Sequence, residues 1–188
     1  MILALDLEGT LVSNAVSQIP RPGLMSFLQE ASVLASRVVL FTAVSEARVR
    51  TMVEELVRRG EAPEWLGRVP VVRWEGPHKR LHFVPGHETE AVLLVDDMRQ
   101  YVHPDDLGHW VEVRPFVAPY PEDDVELDDV LDRIRRKARQ IARKEEWTRA
   151  RGKAGEDAER PRATGENDNG GLPERRLPND GSESMSHD

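Results

Sequence analysis

Two acidic residues follow the first apolar run of the chain and are the first candidates for chemistry. Asp6 and Glu8 stand two residues apart, directly after the run Ile2–Leu5. A short apolar run predicts a buried strand, and Gly9 predicts a sharp turn after it. Because α/β sheets place ligands at the carboxyl ends of their strands, we expect Asp6 and Glu8 to lie at a binding site.

Polar residues also follow two later apolar runs. Thr42 follows the run 38–41, and Asp96 with Asp97 follows the run 91–95. In a parallel sheet these ends lie at one edge, so the carboxylates are expected to converge. Crowded carboxylates repel one another unless a cation neutralises them, and oxygen ligands of this kind suit Mg²⁺.

These groups are suited to phosphoryl transfer. An aspartate held beside Mg²⁺ acts as a nucleophile toward phosphorus and forms an aspartyl-phosphate. Thr42, and Lys79 in the loop after the third predicted strand, are expected to hold the equatorial phosphoryl oxygens, where charge must be stabilised.

Five strands and three helices are predicted to position these residues. The strands are predicted at residues 2–5, 38–41, 69–74, 91–95 and 110–113, and the helices at 24–34, 46–59 and from 122 onward. Strands that alternate with helices predict an α/β fold with a mostly parallel five-stranded sheet and helices on both faces.

Composition excludes several classes of protein. The 188 residues carry a formal net charge of −8, which argues against binding nucleic acid through overall positive charge. The absence of cysteine excludes disulfides, zinc-thiolate sites and a cysteine nucleophile. No apolar run approaches the roughly 20 residues of a membrane span. We therefore predict a cytoplasmic protein without a membrane partner.

The chain is predicted to form one domain over residues 1–147, followed by a disordered charged tail over 148–188. From residue 148 onward the only large apolar residues are Leu172, Leu177 and Met185, too few to offset the entropy of ordering this stretch. A basic run over 133–144 is interpreted as the solvated face of the last helix, so nucleic acid is disfavoured as a partner.

Four segments together resemble motifs I to IV of the haloacid dehalogenase superfamily of phosphotransferases. In order they are DLEGTL at residues 6–11, LFTA at 40–43, Lys79, and VDD at 95–97. The stretches RPGLMSFLQEASVLASRVVLFTA and LLVDDMRQYVHPDDLGHWVEVRPF further resemble the NLI-interacting-factor branch, which contains the phosphatases of the RNA polymerase II C-terminal domain. This resemblance implies a Rossmannoid fold of the haloacid dehalogenase type.

The resemblance also implies roles for individual residues. Asp6 would be the nucleophile and a metal ligand, and Glu8 would offer its backbone carbonyl to the metal and its carboxyl as acid and base. Asp96 and Asp97 would ligate Mg²⁺ directly or through water. The residues implied to bind the phosphoryl group are Gly9, Thr42, Ala43 and Lys79.

Glu8 departs from the resembled pattern, because active phosphatases of this family usually carry aspartate there. Its intrinsic pKa, about 4.3 against 3.9, preserves the proton chemistry. Its extra methylene moves the carboxyl by about 1 Å, and such a misplacement costs about a hundredfold in rate. Glu8 therefore leaves one alternative open, a catalytically impaired pseudo-phosphatase that serves as a binding module. The basic run on the last helix leaves a second, a nucleotide or nucleic-acid-end phosphatase.

The intervals between the motifs leave no room for a large cap domain. One loop and one helix separate the first two motifs, and one helix, a turn and a strand separate the second from the third. An open site of this kind suits a large substrate such as a phosphoprotein, although small molecules also fit. The sequence predicts no particular oligomeric state.

Overall fold

A parallel sheet forms the centre of the computed structural model, which describes residues 1–159. Its strands are β1 (Ile2–Leu5), β2 (Arg37–Leu40), β3 (Val92–Asp96) and β4 (Trp110–Glu112). They lie in the order β2-β1-β3-β4, and every neighbouring pair is parallel. The predicted α/β class with a parallel sheet is confirmed.

Three α-helices accompany the sheet: α1 (Leu24–Leu34), α2 (Glu46–Arg58) and α3 (Glu126–Glu159). Short 3-10 helices occupy Glu64–Arg68, Leu81–Phe83, Arg99–Tyr101 and Pro104–His109. Within residues 1–159 no inserted element is large enough to form a cap over the sheet, as the short intervals predicted.

The predicted third strand is the main correction, because residues 69–74 do not form a strand and the described sheet has four strands rather than five. This segment meets β2 at a single bridge, between Leu40 and Val71. The Leu40 amide donates to the Pro70 carbonyl at 2.9 Å, and the Val72 amide donates to the Leu40 carbonyl at 2.7 Å. Pro70 faces β2 but has no N–H, so the ladder cannot continue there.

The two faces of the sheet are covered differently. Leu3 and Leu5 pack in a core cluster to which all three α-helices contribute buried side chains, among them Phe27, Leu56 and Ile134. The opposite face belongs to a second cluster, whose cover comes from Leu81 of a 3-10 helix and from the buried loop residues Val72, Val84 and Val102. In the described residues the second face therefore carries short 3-10 and extended segments where α-helices had been predicted.

Residues 1–150 form one compact unit, and helical backbone continues to Glu159. The first part of the predicted tail, residues 148–159, therefore belongs to α3. The rest, residues 160–188, lies outside the described residues, so the tail and the boundary at residue 147 stay predictions. None of the described helices combines the length and apolar character needed to cross a membrane.

Candidate active site

The carboxyl edge of the sheet brings together residues from three neighbouring strands. β1 ends at Leu5, and the Asp6 amide continues the pairing by donating to the Val95 carbonyl at 2.9 Å. Because β1 lies between β2 and β3, Asp6 has Thr42 on one side and the Asp96–Asp97 pair on the other. The parallel topology thus produces the predicted convergence.

A cleft of about 320 Å³ opens at this edge. Its lining consists of Asp6, Glu8, Gly9, Thr42, Ala43, Lys79, Asp97, Met98 and Tyr101. Every residue proposed from the sequence is present except Asp96, which is fully buried and does not reach the cleft wall. The residues of the four motifs therefore make the lining polar, and Met98 and Tyr101 add less polar surface to it.

Lys79 is the buried cation of the site, with 1% of its surface exposed. Its Nζ lies 2.8 Å from Asp6 Oδ1 and 2.5 Å from Asp96 Oδ2. Burial alone would lower the pKa of Lys79, but the charges and hydrogen bonds of the two carboxylates outweigh it and raise that pKa. Lys79 is consequently held as an ammonium ion between the two aspartates.

Aromatic rings enclose this ammonium group. Nζ of Lys79 lies 6.0 Å from the ring centroid of Phe41 and 5.9 Å from that of Tyr101. Trp74 packs edge-on against both rings, at centroid distances of 6.5 and 5.9 Å. The rings exclude water from one side of Lys79, which strengthens its attraction to the carboxylates.

The two aspartates at the end of β3, Asp96 and Asp97, both resist ionisation. Burial, followed by the charge of Asp6, raises the pKa of Asp96 to about 7, although Lys79 and the Met98 amide oppose the rise. The same two causes raise the pKa of Asp97, against a hydrogen bond from Thr10. The site therefore holds more negative charge than Lys79 neutralises.

Asp97 owes its position to two residues of the first motif. The Thr10 hydroxyl lies 3.1 Å from Asp97 Oδ1 and 3.5 Å from Asp6 Oδ2, so its proton favours Asp97. Gly9 has a φ of 75°, and a Cβ added to it would lie 2.5 Å from Asp97 Oδ2. A glycine is therefore required at position 9, both for the backbone conformation and for the space that the Asp97 carboxylate occupies.

The three aspartates fit a hard divalent cation. One carboxylate oxygen from each of Asp6, Asp96 and Asp97 lies within 4.8 Å of the others. Three ionised carboxylates carry −3 and Lys79 carries +1, which leaves −2 for a cation to balance. Since Mg²⁺ prefers oxygen ligands from carboxylates, carbonyls and water, both the donor set and the charge suit it.

Glu8 is tied to the loop that follows the first motif. Its Oε1 accepts a short hydrogen bond from the Ala15 amide, and the Ala15 carbonyl in turn accepts from Arg48 and Gln18. Glu8 also lines the cleft. Glu8 therefore contributes to the cleft wall, and one oxygen of its carboxyl is engaged by the Ala15 amide.

Two features of the site were missed from the sequence. Tyr101 lies in the segment after β3 that also carries Asp97. Its closeness to Asp97 in the sequence was the signal that could have placed it at the cleft. Arg21 is 1% exposed, pairs with Asp124 at 3.0 Å and donates to the Thr10 carbonyl at 3.3 Å. Arg21 thereby supports the backbone that carries the Thr10 hydroxyl.

Comparison with known families gives one match. A family model described as NLI interacting factor-like phosphatase matches residues 1–144, which cover the sheet, the cleft and the first part of α3. No curated protein matches the chain.

Proposed function

Because this chain belongs to the NLI interacting factor-like phosphatase family, a phosphatase family of the haloacid dehalogenase type, we propose that it is an Mg²⁺-dependent phosphomonoester phosphatase that works through an aspartyl-phosphate on Asp6. The observation that carries the proposal is the single cleft that Asp6, Lys79 and Asp97 share. A binding module has no physical need for a buried lysine between two aspartates beside an open cleft.

The reaction proceeds in two displacements. The Asp6 carboxylate attacks phosphorus, the bond from phosphorus to the ester oxygen breaks, and the Glu8 carboxyl gives its proton to that oxygen. Glu8 then takes a proton from water, whose oxygen attacks the same phosphorus and releases inorganic phosphate and free Asp6. Each proton that Glu8 donates in the first displacement is thus regained in the second.

Lys79 and Thr42 are the groups proposed to hold the phosphoryl oxygens. The ammonium of Lys79 has three protons, and its two carboxylate contacts leave one for a substrate oxygen. Thr42 is buried, but it lines the cleft. Gly9 and Ala43, which also line it, would let their backbone approach the phosphoryl group closely.

Mg²⁺ would be held by Asp6, by Asp97 and by the Glu8 carbonyl, where it would neutralise charge on the transferring phosphoryl group. We assign Asp97 as the direct ligand because its carboxylate lines the cleft. Asp96 is fully buried, and its oxygens already accept from Lys79 at 2.5 Å and from the Met98 amide at 2.7 Å. Asp96 is therefore proposed to orient Lys79 and to contact the metal through water.

Metal removal tests this function directly. Wild-type protein should release phosphate from a generic aryl phosphate, EDTA should stop the release, and excess Mg²⁺ should restore it, because without the metal the net charge of −2 that remains beside Lys79 repels a phosphate dianion. Phosphate release is followed colorimetrically. Release that continues undiminished in EDTA would overturn the metal dependence, and silence under all conditions would favour the binding-module alternative.

The hydrogen bond from the Ala15 amide draws one carboxyl oxygen of Glu8, the proposed acid and base, toward the loop that carries Ala15. This contact favours one alternative, a phosphatase with impaired turnover. Glu8→Asp removes one methylene and should free the carboxyl from Ala15. We expect kcat to rise by about ten- to a hundredfold, and Glu8→Gln to lower it by about a hundredfold. Steady-state kinetics on the same aryl phosphate measure both variants. If neither variant changes kcat, Glu8 is not the acid and base.

A further inference from the structure

A second groove, of about 420 Å³, lies between β4 and the N-terminal half of α3. Among the described strands, β4 is an edge strand, so one side of it is not covered by another strand. Three apolar residues and three cations line the groove: Leu107, Trp110, Val111, Arg133, Arg136 and Lys137. We call this the basic groove.

Among the described residues, two of the three cations have no carboxylate partner. Arg133 is occupied, because its Nη1 lies 2.8 Å from Oε1 of Glu126. Lys137 donates only to the Gly108 carbonyl, at 3.0 Å, and Arg136 makes no hydrogen bond or ion pair with any residue of the described part. Glu112 is the one carboxylate that lines the basic groove within residues 1–159, so the groove keeps a net positive charge.

Trp110 of the basic groove contacts the backbone beside the catalytic cleft. The Trp110 indole lines the groove, and its Nε1 donates to the Asp96 carbonyl at 2.8 Å, next to Asp97 of the cleft. The Arg99 guanidinium lies 5.8 Å from the Trp110 ring centroid, and the preceding residue, Met98, lines the cleft. Arg99 is exposed and, within the part of the chain that the structure describes, donates only to a backbone carbonyl, so it adds a third cation without a carboxylate partner there.

We propose that the basic groove binds an acidic segment of a phosphoprotein substrate, next to the residue that is dephosphorylated in the cleft. This inference rests on the proposed phosphatase function. Carboxylates of such a segment would pair with Arg136 and Lys137, and its apolar side chains would contact Leu107 and Trp110. An extended peptide also suits a groove that runs beside an edge strand.

The chemistry of the groove favours a protein segment over a nucleic acid. A nucleic acid presents one charge per nucleotide and needs several cations in a row, whereas the groove offers two unpaired cations with a carboxylate, Glu112, among them. A peptide can place its few acidic residues opposite Arg136 and Lys137 and keep neutral residues near Glu112.

Docking at a distance from phosphorus has a defined kinetic consequence. The groove contacts are made equally in the ground state and in the transition state, so they should lower KM and leave kcat unchanged. They should have no effect on a small aryl phosphate, which carries no acidic segment to bind in the groove.

The first test measures binding without turnover. Fluorescence anisotropy follows a labelled, unphosphorylated peptide with four glutamates, and a second peptide with glutamine at those positions, as each binds the full chain. We expect about tenfold tighter binding of the glutamate peptide, a preference that Arg136→Glu/Lys137→Glu should abolish. Arg139→Glu/Arg143→Glu makes the same charge change at exposed sites on α3 outside the groove and should keep most of the preference.

Three results would overturn the proposal. They are equal affinity for the two peptides, an equal loss in the groove variant and in the control variant, and a single-stranded RNA of the same length that competes more strongly than the glutamate peptide.

A second test compares KM for phosphoserine forms of both peptides, where the groove variant should raise KM about tenfold for the acidic one alone. Since the binding assay needs no catalysis, an inactive protein that still selects the acidic peptide would overturn the proposed activity and leave the groove assignment standing.

Discussion

Replacement of Asp6 by asparagine is expected to abolish phosphate release, with kcat falling by at least about 10⁴-fold. An amide is too poor a nucleophile to attack phosphorus, and it also offers the metal a neutral oxygen in place of a charged one. Acid-quenched wild-type protein should carry phosphate on the peptide that contains Asp6, and the variant should carry none. Steady-state kinetics and mass spectrometry of the quenched protein measure the two effects independently.

The fold should survive this substitution, because asparagine has nearly the volume of aspartate and Lys79 keeps its 2.5 Å contact with Asp96. The charge of Asp6 is one cause of the raised pKa of Asp96 and of Asp97, so its loss should lower both pKa values. Asp132→Asn is a matched control at an exposed position on α3 and should retain full activity. If Asp6→Asn keeps a tenth or more of the wild-type kcat, water attacks the substrate directly and no aspartyl-phosphate forms.

The sequence predicted the parts of the fold that depend on local pattern. Buried apolar runs identified all four described strands to within one residue, and helical spacing identified α1 and α2. The predicted third strand, at 69–74, was wrong because it contains Pro70, whose ring removes the N–H that a ladder beside β2 needs. An apolar run shows that a segment is buried, but backbone hydrogen bonds decide whether it becomes a strand.

The candidate site was predictable wherever parallel topology alone controls position. Residues that end β1, β2 and β3 must meet at one edge, which accounts for Asp6, Thr42 and Asp97. The distinct roles of Asp96 and Asp97 were not predictable, since neighbouring residues at a strand end point in different directions and only the packing shows which one faces Lys79. The direction of the side chain makes Asp96 a buried partner of Lys79 and Asp97 a residue of the cleft wall.

The features that were not predicted from the sequence depend on contacts between distant parts of the chain. Arg21 looked like part of a loop, yet it is buried against Asp124, more than a hundred residues away, and it donates to the Arg114 carbonyl at 2.8 Å. Burial alone would raise the pKa of Asp124, but the hydrogen bonds that it accepts from Arg21 and from the Glu126 amide lower it. The basic run on α3 was likewise interpreted as a solvated face, and the groove appears only when Trp110 of β4 is placed beside it.

Lys79→Met is expected to remove both activity and stability, because it takes away the cation between two buried carboxylates. Lys79 contacts Asp6 at 2.8 Å and Asp96 at 2.5 Å, and no other cation of residues 1–159 forms an ion pair with either carboxylate. Loss of one partner from a buried ion pair costs about 3 kcal/mol. We expect the free energy of unfolding to fall by about that amount near pH 8, and kcat to fall by more than about a hundredfold.

The destabilisation should depend on pH, with a sign set by Asp96. Its pKa is already about 7 in the folded wild type, mainly through burial and the charge of Asp6, and loss of Lys79 should raise it further. An acid whose folded-state pKa exceeds its unfolded value of about 3.9 binds more protons when folded. Stability therefore falls as pH rises from the unfolded-state pKa to the folded-state pKa. In the variant the free energy of unfolding should keep falling above neutral pH. In the wild type Lys79 stays charged over this pH range, so its own titration adds no pH dependence.

Urea denaturation in EDTA at about pH 5.5 and about pH 8 measures this difference. The deficit of Lys79→Met relative to wild type should be clearly smaller at the lower pH, where a protonated Asp96 no longer repels Asp6. Lys144→Met removes a lysine from an exposed site on α3 and should change stability little at either pH. An equal deficit at both pH values would mean that Lys79 stabilises the fold through packing against Phe41 and Tyr101 rather than through its charge.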